Sequence, residues 1–326
     1  MAFSIFPYDG RSSMTRAMGG MPWSSSAAPG TRGRFDFVVR LAAAFLLTLV
    51  LVPVVAMALP GVAFHRLLTR TLLILILAIF LLGRRSPRTW RESLRAMGLR
   101  GPGSASRFVL GAVVSLVLFA IILGLSWVAG GRPLESPVPS TWPRDLAVAA
   151  LTGVGVGILE ETLWRGYLRG LLGAVVSSIL YAAAHYFRPL TGSPVAPGSY
   201  DPFMAVRRLP EMFQSLSEPR HLTLGLLSLF LLGMALCRLR ERTGTIWLGI
   251  GVHAGFVLAI AVYRDFVVVN AHGSPWIYGG TRLHDGLLAT MALALLFWLA
   301  ARGPLPRSFL DASGHRSQNR VDAPTR

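Results

Sequence analysis

Long apolar runs separated by short polar segments dominate the chain. A helix crosses the hydrocarbon core of a bilayer with roughly 20 apolar residues, and eight segments reach or approach that length. The pattern therefore predicts an all-α fold, a polytopic transmembrane bundle of about eight helices within residues 37–301. The predicted spans are residues 37–59, 67–83, 107–129, 145–163, 171–187, 222–240, 244–263 and 284–301.

The two ends of the chain lack this pattern. Residues 1–36 are rich in Gly, Ser, Pro and Arg without periodicity, which predicts a flexible tail. Residues 302–326 are predicted to form a second one. Within the bundle, Pro53 is expected to kink the first helix.

Two connections have features of their own. Apolar residues recur at helical spacing in residues 90–99, which are either a helix on the membrane surface or a polar loop. The longer connection, residues 188–221, contains a helical pattern over 204–216 and is expected to cover the far side of the bundle's polar cavity.

Composition supports a membrane location. Charged residues make up 14% of the chain, whereas soluble domains carry roughly 25%. All 32 basic residues are arginine and the net charge is +17, but they lie mainly in short segments beside apolar runs, which excludes nucleic acid as a partner. The arginine-dense connections follow the second, fourth, sixth and eighth spans, so the positive-inside rule predicts that both termini are cytoplasmic. The single cysteine, Cys237, excludes an intramolecular disulfide and does not indicate a catalytic thiol.

Two adjacent carboxylates lie in the fourth apolar run. A charge at mid-membrane costs about 2.5–3.5 kcal/mol, so Glu160 and Glu161 need a reason to be there. Glu161 precedes Arg165 by four residues, the favourable order for a helical ion pair. Glu160 is rotated by about 100° from Glu161, which leaves it able to face a cavity as a general base or acid.

Two imidazoles lie on other spans. His185 follows Tyr181 by four residues on one helix face, and His253 stands between Gly251 and Gly255, whose small size permits close helix packing. Each polar residue alone has a structural explanation, such as a hydrogen bond to a neighbouring helix. Together, carboxylates and imidazoles on three spans predict a catalytic site of Glu160, His185 and His253.

The same residues carry a family resemblance. Residues 160–166, EETLWRG, resemble the EExxxR motif of the CPBP family of CAAX proteases and bacteriocin-processing enzymes. Residues 181–185, YAAAH, are similar to its second motif, and residues 232–253 to its third. The resemblance covers about residues 145–263, the expected catalytic core. Family members often have Asn or Asp four residues after the last histidine, where this chain has Val257.

The resemblance implies about eight membrane helices around a water-filled cavity and peptide hydrolysis near the membrane. By position, Glu160 would activate water, His185 would orient that water or bind a metal, and His253 would help stabilise the oxyanion. Glu161 and Arg165 would shape their helix, and Tyr181 would support the site. The implied substrate is a peptide or lipid-anchored protein in contact with membrane lipids, and the implied location is a bacterial inner membrane.

Three alternatives stay open at this point. A glutamate with two histidines is sufficient for metal-free hydrolysis, so no cofactor is required, yet the same three residues could bind zinc or another divalent metal. The second alternative is a catalytically silent membrane scaffold or immunity protein, which Val257 favours. The third is a proton-coupled transporter, although the chain contains no internal repeat.

Overall fold

The computed structural model describes residues 31–82, 90–101, 103–129, 142–192, 194–195, 201–266, 274–280 and 283–303. These residues form helices and no β-strand, apart from an isolated antiparallel bridge between Ala63 and Pro194. The predicted all-α class is confirmed. Most of the two predicted tails, residues 1–30 and 304–326, lies outside the described residues, whereas residues 31–36 belong to the first helix and Arg302 to the last.

Helices follow one another along the described chain, with short π-helical and 3₁₀ segments between some of them. The π-helical segments are Thr162–Leu168 and His221–Gly225, and the 3₁₀ helix is Leu209–Ser217. The α-helices are α1 Thr31–Ala58, α2 Phe64–Leu82, α3 Trp90–Ala96, α4 Ser104–Val128, α5 Trp142–Glu161, α6 Arg169–His185, α7 Met204–Arg208, α8 Leu226–Thr243, α9 Trp247–Phe266, α10 Pro275–Tyr278 and α11 Leu287–Arg302.

The long helices coincide with the predicted apolar runs, each of which falls on a helix. Helices are favoured because lipid offers no partner for backbone N–H and C=O groups, which must pair within their own segment. The helical stretches long and apolar enough to cross a membrane are Phe35–Ala58, Ser104–Val128, Trp142–His185 and His221–Thr243, with shorter apolar helices at Trp247–Tyr263 and Leu287–Arg302. The chain is an integral membrane protein, and the number of crossings stays a prediction.

Helix α9 packs mainly against α4 and α5. Glycines permit this packing, because a Cβ at Gly251 would collide with the Phe108 carbonyl oxygen of α4, and one at Gly255 with Ser115 Oγ. The small-residue face predicted for α9 is confirmed. Its consequence is that His253, between these glycines in sequence, lies close to α5.

A kink separates α5 from the distal part of α6. Gly173 has φ 81° and ψ 169°, a conformation that only glycine adopts readily. The sequence placed the boundary between the two spans at residues 163–171, whereas the helical path continues through the π-helical turn and breaks at Gly173. No proline or polar cluster marks this position, so apolar length was the only guide to the boundary.

The connection 188–221 is partly helical, as predicted, since α7 and the 3₁₀ helix cover the pattern at 204–216. Met204 and Met212 are buried against Val52 of α1 and Phe64 of α2. The segment thus packs on one end of the bundle, and its proposed covering of the cavity stays a prediction. At α3, the carbonyls of Ala96 and Met97 accept hydrogen bonds from Arg240 of α8.

Candidate active site

Three helices bring Glu160, His185 and His253 together. Glu160 lies one residue before the end of α5, His185 ends α6, and His253 lies in α9. Oε2 of Glu160 is 3.7 Å from Nε2 of His185 and 3.5 Å from Nε2 of His253. The residues that the sequence predicted as catalytic are therefore neighbours, although they are far apart along the chain.

Close packing of α5 against α9 sets the distance between Glu160 and His253. A Cβ at Gly157 would lie 3.4 Å from His253 Cβ and 3.0 Å from the Ile250 carbonyl oxygen. A Cβ at Gly153 would lie 2.8 Å from the Ala254 carbonyl oxygen. Larger side chains at these positions would push the two helices apart. The π-helical turn that starts at Thr162 follows the glutamates directly, a feature that often occurs at functional sites.

Hydrogen bonds at Nδ1 assign the tautomers of both histidines. Nδ1 of His185 is 2.9 Å from the Tyr181 carbonyl oxygen, and Nδ1 of His253 is 3.3 Å from Oε1 of Glu161. A carbonyl and a carboxylate oxygen only accept hydrogen bonds, so we assign the proton to Nδ1 in both rings. In their neutral forms, both histidines then present a lone pair at Nε2 toward Glu160.

The supporting residues lie behind these three. Nη1 of Arg165 donates a 2.9 Å hydrogen bond to Oε1 of Glu161, and both side chains are 1% exposed. The Arg165 guanidinium lies 4.1 Å from the centroid of the Tyr181 ring. That ring meets the His185 ring edge to face, with 4.4 Å between centroids. The ion pair expected between Glu161 and Arg165 is present, and Glu161 also holds His253, which sequence reasoning did not foresee.

Arg70 on α2 is a further residue of the site, and it was not predicted from the sequence. Nη1 of Arg70, on α2, donates a 3.3 Å hydrogen bond to Oε1 of Glu160. The Arg70 side chain is 41% exposed, compared with 9% for Glu160. A basic residue inside the predicted second span, 67–83, was the available signal, because intramembrane charges mark functional sites by default.

The residues of the site fit a divalent cation. Oε2 of Glu160 is buried and has no hydrogen-bond partner among the described residues. One ligand atom from each of Glu160, His185 and His253 lies within 4.8 Å of the other two. Tetrahedral zinc with ligand distances of about 2.0–2.1 Å would hold such atoms about 3.3–3.4 Å apart, close to the 3.5 and 3.7 Å that separate Oε2 of Glu160 from the two histidine nitrogens. A water molecule that donates two hydrogen bonds also fits among these acceptors.

Comparison with known proteins identifies a family for part of the chain. Residues 142–259 match the family model described as Type II CAAX prenyl endopeptidase Rce1-like. No curated protein and no solved structure matches the chain. The matched segment contains the three neighbouring residues and their supports, whereas Arg70 lies outside it. Residues 142–259 are thus a domain of the type II CAAX prenyl endopeptidase Rce1-like family, as the motifs at Glu160, Tyr181 and His253 predicted.

Proposed function

We propose that the protein is an intramembrane endopeptidase that hydrolyses peptide bonds of membrane-associated, CAAX-like substrates. The observation that carries the proposal is the buried Glu160 carboxylate, 3.7 and 3.5 Å from Nε2 of His185 and His253, within a domain of an endopeptidase family. General-base hydrolysis needs such a carboxylate within hydrogen-bond reach of the attacking water.

In the proposed reaction, a water molecule lies between Oε2 of Glu160 and Nε2 of His185. Glu160 takes one proton as the water oxygen bonds to the peptide carbonyl carbon, and the carbonyl electron pair moves to its oxygen. Collapse of the tetrahedral intermediate breaks the C–N bond, and Glu160 returns the proton to the leaving amine. The sequence of steps is balanced without an external acid.

The role of His253 depends on whether its ring is neutral or protonated. While its ring is neutral, Nε2 accepts a hydrogen bond and so orients the water. The oxyanion-stabilising role implied by the family resemblance would require a proton on Nε2, so a neutral ring with its proton on Nδ1 leaves that role to another donor.

Metal-dependent hydrolysis is the second candidate, favoured because one ligand atom from each of the three residues lies within 4.8 Å of the other two. Glu160, His185 and His253 would hold the ion, which when bound would supply Lewis acidity and lower the pKa of bound water. The metal-free reaction is preferred because Glu160 already supplies the base.

The substrate class follows from the family and the location. The proposed substrate is a peptide or lipid-anchored protein, which would approach from the membrane. The words CAAX prenyl in the family's description indicate a prenylated C-terminal end. We further propose a bundle over 37–301 with cytoplasmic tails at 1–36 and 302–326, because arginines concentrate at one end of the predicted spans. The proposed location is a bacterial inner membrane, as the family resemblance implies.

The direct test uses purified protein in proteoliposomes and a farnesylated peptide with a fluorophore and a quencher across the expected cleavage site. The wild type is expected to cleave it, and Glu160→Gln to lose at least about 10³-fold in rate, since the amide cannot accept the proton. The matched control is Glu241→Gln, because Glu241 is also a helical carboxylate paired with an arginine, Arg169, but lies outside the site. Equal rates for Glu160→Gln and wild type would refute the proposal.

A further inference from the structure

Peptide hydrolysis leaves one requirement unmet by the residues described so far. The tetrahedral intermediate carries a negative oxygen that needs a hydrogen-bond donor. Oε2 of Glu160 and Nε2 of both neutral histidines are acceptors. Arg165 is a donor whose Nη2 has no hydrogen-bond partner among the described residues, but its side chain is 1% exposed and lies behind Glu161 and the Tyr181 ring, away from an approaching substrate. A donor on the more exposed side of the site is therefore needed.

Exposure indicates the side from which a substrate can approach. The Glu161 and Arg165 side chains, at 1% exposure, close the back of the site. The His253 side chain is 8% exposed, that of His185 24% and that of Arg70 41%. A peptide carbonyl that reaches the water beside Glu160 comes from the open side and hence lies near Arg70.

Arg70 has the chemistry that this place requires. Its guanidinium carries five N–H donors in a planar fork, and within the described part of the chain its side chain donates only to Glu160. It is permanently charged, so it is a donor whatever the protonation of the histidines. It lies in an apolar helix, α2, where an arginine is uncommon and often functional.

We propose that Arg70 donates hydrogen bonds to the oxyanion of the tetrahedral intermediate, a role that rests on the proposed peptidase function. Before attack, the negative charge beside Arg70 is on Glu160. As Glu160 takes the proton from water it becomes neutral, and the charge moves to the former carbonyl oxygen. Arg70 then exchanges one anionic partner for another, so its interaction strengthens where the transition state needs it.

A positioning role is the rival explanation. If Arg70 acted only by keeping the Glu160 carboxylate ionised, the Arg70→Gln variant would regain the wild-type rate at alkaline pH, where the carboxylate is ionised without Arg70. If it acts on the oxyanion, the loss persists at every pH, because the missing donor does not return. The pH profile of kcat therefore separates the two roles.

The experiment measures kcat and KM against pH for Arg70→Gln and Arg70→Lys in the proteoliposome assay. Arg66→Gln is the matched control, since Arg66 is an exposed arginine one turn away on the same helix. We expect Arg70→Gln to lower kcat by about 10²–10³-fold, the size typical of a lost oxyanion donor, at all pH values and with little change in KM. Arg70→Lys retains part of the rate as a charge without the fork, and Arg66→Gln is unchanged.

Two results would overturn the proposal: a kcat for Arg70→Gln within threefold of wild type, or a loss that vanishes at high pH. Both leave the peptidase function intact as long as wild type cleaves and Glu160→Gln does not. Wild type without cleavage, or Glu160→Gln with the wild-type rate, would instead overturn the proposed function and this inference with it. Because Arg70→Lys keeps the positive charge, it can still be assayed if Arg70→Gln fails to fold.

Discussion

Replacement of Arg165 by methionine tests the buried ion pair that supports the site. In the wild-type protein, Nη1 of Arg165 is 2.9 Å from Oε1 of Glu161, and both side chains are 1% exposed. Removing the guanidinium leaves the Glu161 carboxylate buried without its cation, which costs about 3–5 kcal/mol. The contact with the Tyr181 ring, worth about 0.5–2 kcal/mol, is lost as well. At about 2–4 °C per kcal/mol, the melting temperature should fall by roughly 7–28 °C.

A double-mutant cycle makes this prediction specific. Glu161→Leu combined with Arg165→Met removes both charges, and replacing a buried pair by apolar residues is often nearly neutral. We therefore expect the double variant to be more stable than Arg165→Met alone, by about 2 kcal/mol or more. It should stay inactive, because His253 has lost the acceptor at Nδ1. Thermal unfolding in detergent and the peptide assay measure the two effects separately, and additive destabilisation would refute the coupling.

Three further predictions follow from the geometry of the site. Gly251→Ala should lower the melting temperature by an amount equivalent to about 1–3 kcal/mol, because its Cβ collides with the Phe108 carbonyl oxygen; Gly155→Ala, which meets nothing within 4 Å, is the control. Treatment with 1,10-phenanthroline should leave the cleavage rate unchanged, and a loss reversed by added Zn²⁺ would favour the metal-dependent candidate. Val257→Asn should raise kcat in the Arg70→Gln background, since it adds an amide donor one turn from His253; an unchanged rate would argue that position 257 does not reach the oxyanion.

Most of the helical framework could be predicted from hydropathy, because an apolar run of about 20 residues has few other stable structures in a bilayer. The break at Gly173 could not be placed in the same way. The helical path crosses the predicted boundary without a proline or a polar cluster, and the glycine that takes a positive φ resembles several others in the run.

Within the candidate site, sequence spacing was sufficient to predict contacts between residues of the same helix, such as the Glu161–Arg165 ion pair. The proximity of Glu160, His185 and His253 rested on the scarcity of polar groups in the spans together with the family motifs. Arg70 was missed because its contact with Glu160 joins residues 90 positions apart, and helical periodicity carries no information on which helices become neighbours. The second role of Glu161, holding Nδ1 of His253, depends on the same tertiary packing.

The central claim, that Glu160 is the base of a membrane peptidase, is tested most directly by the protein termini in membranes of the native host. Cells that express wild type and cells that express Glu160→Gln, at equal membrane abundance, are compared by mass spectrometry of membrane-fraction termini. We predict a set of C-terminal or internal cleavage products that is present with wild type and missing with Glu160→Gln, and these products would name the substrate. Identical termini in the two cell lines, with both proteins folded, would contradict the claim and favour a catalytically silent scaffold.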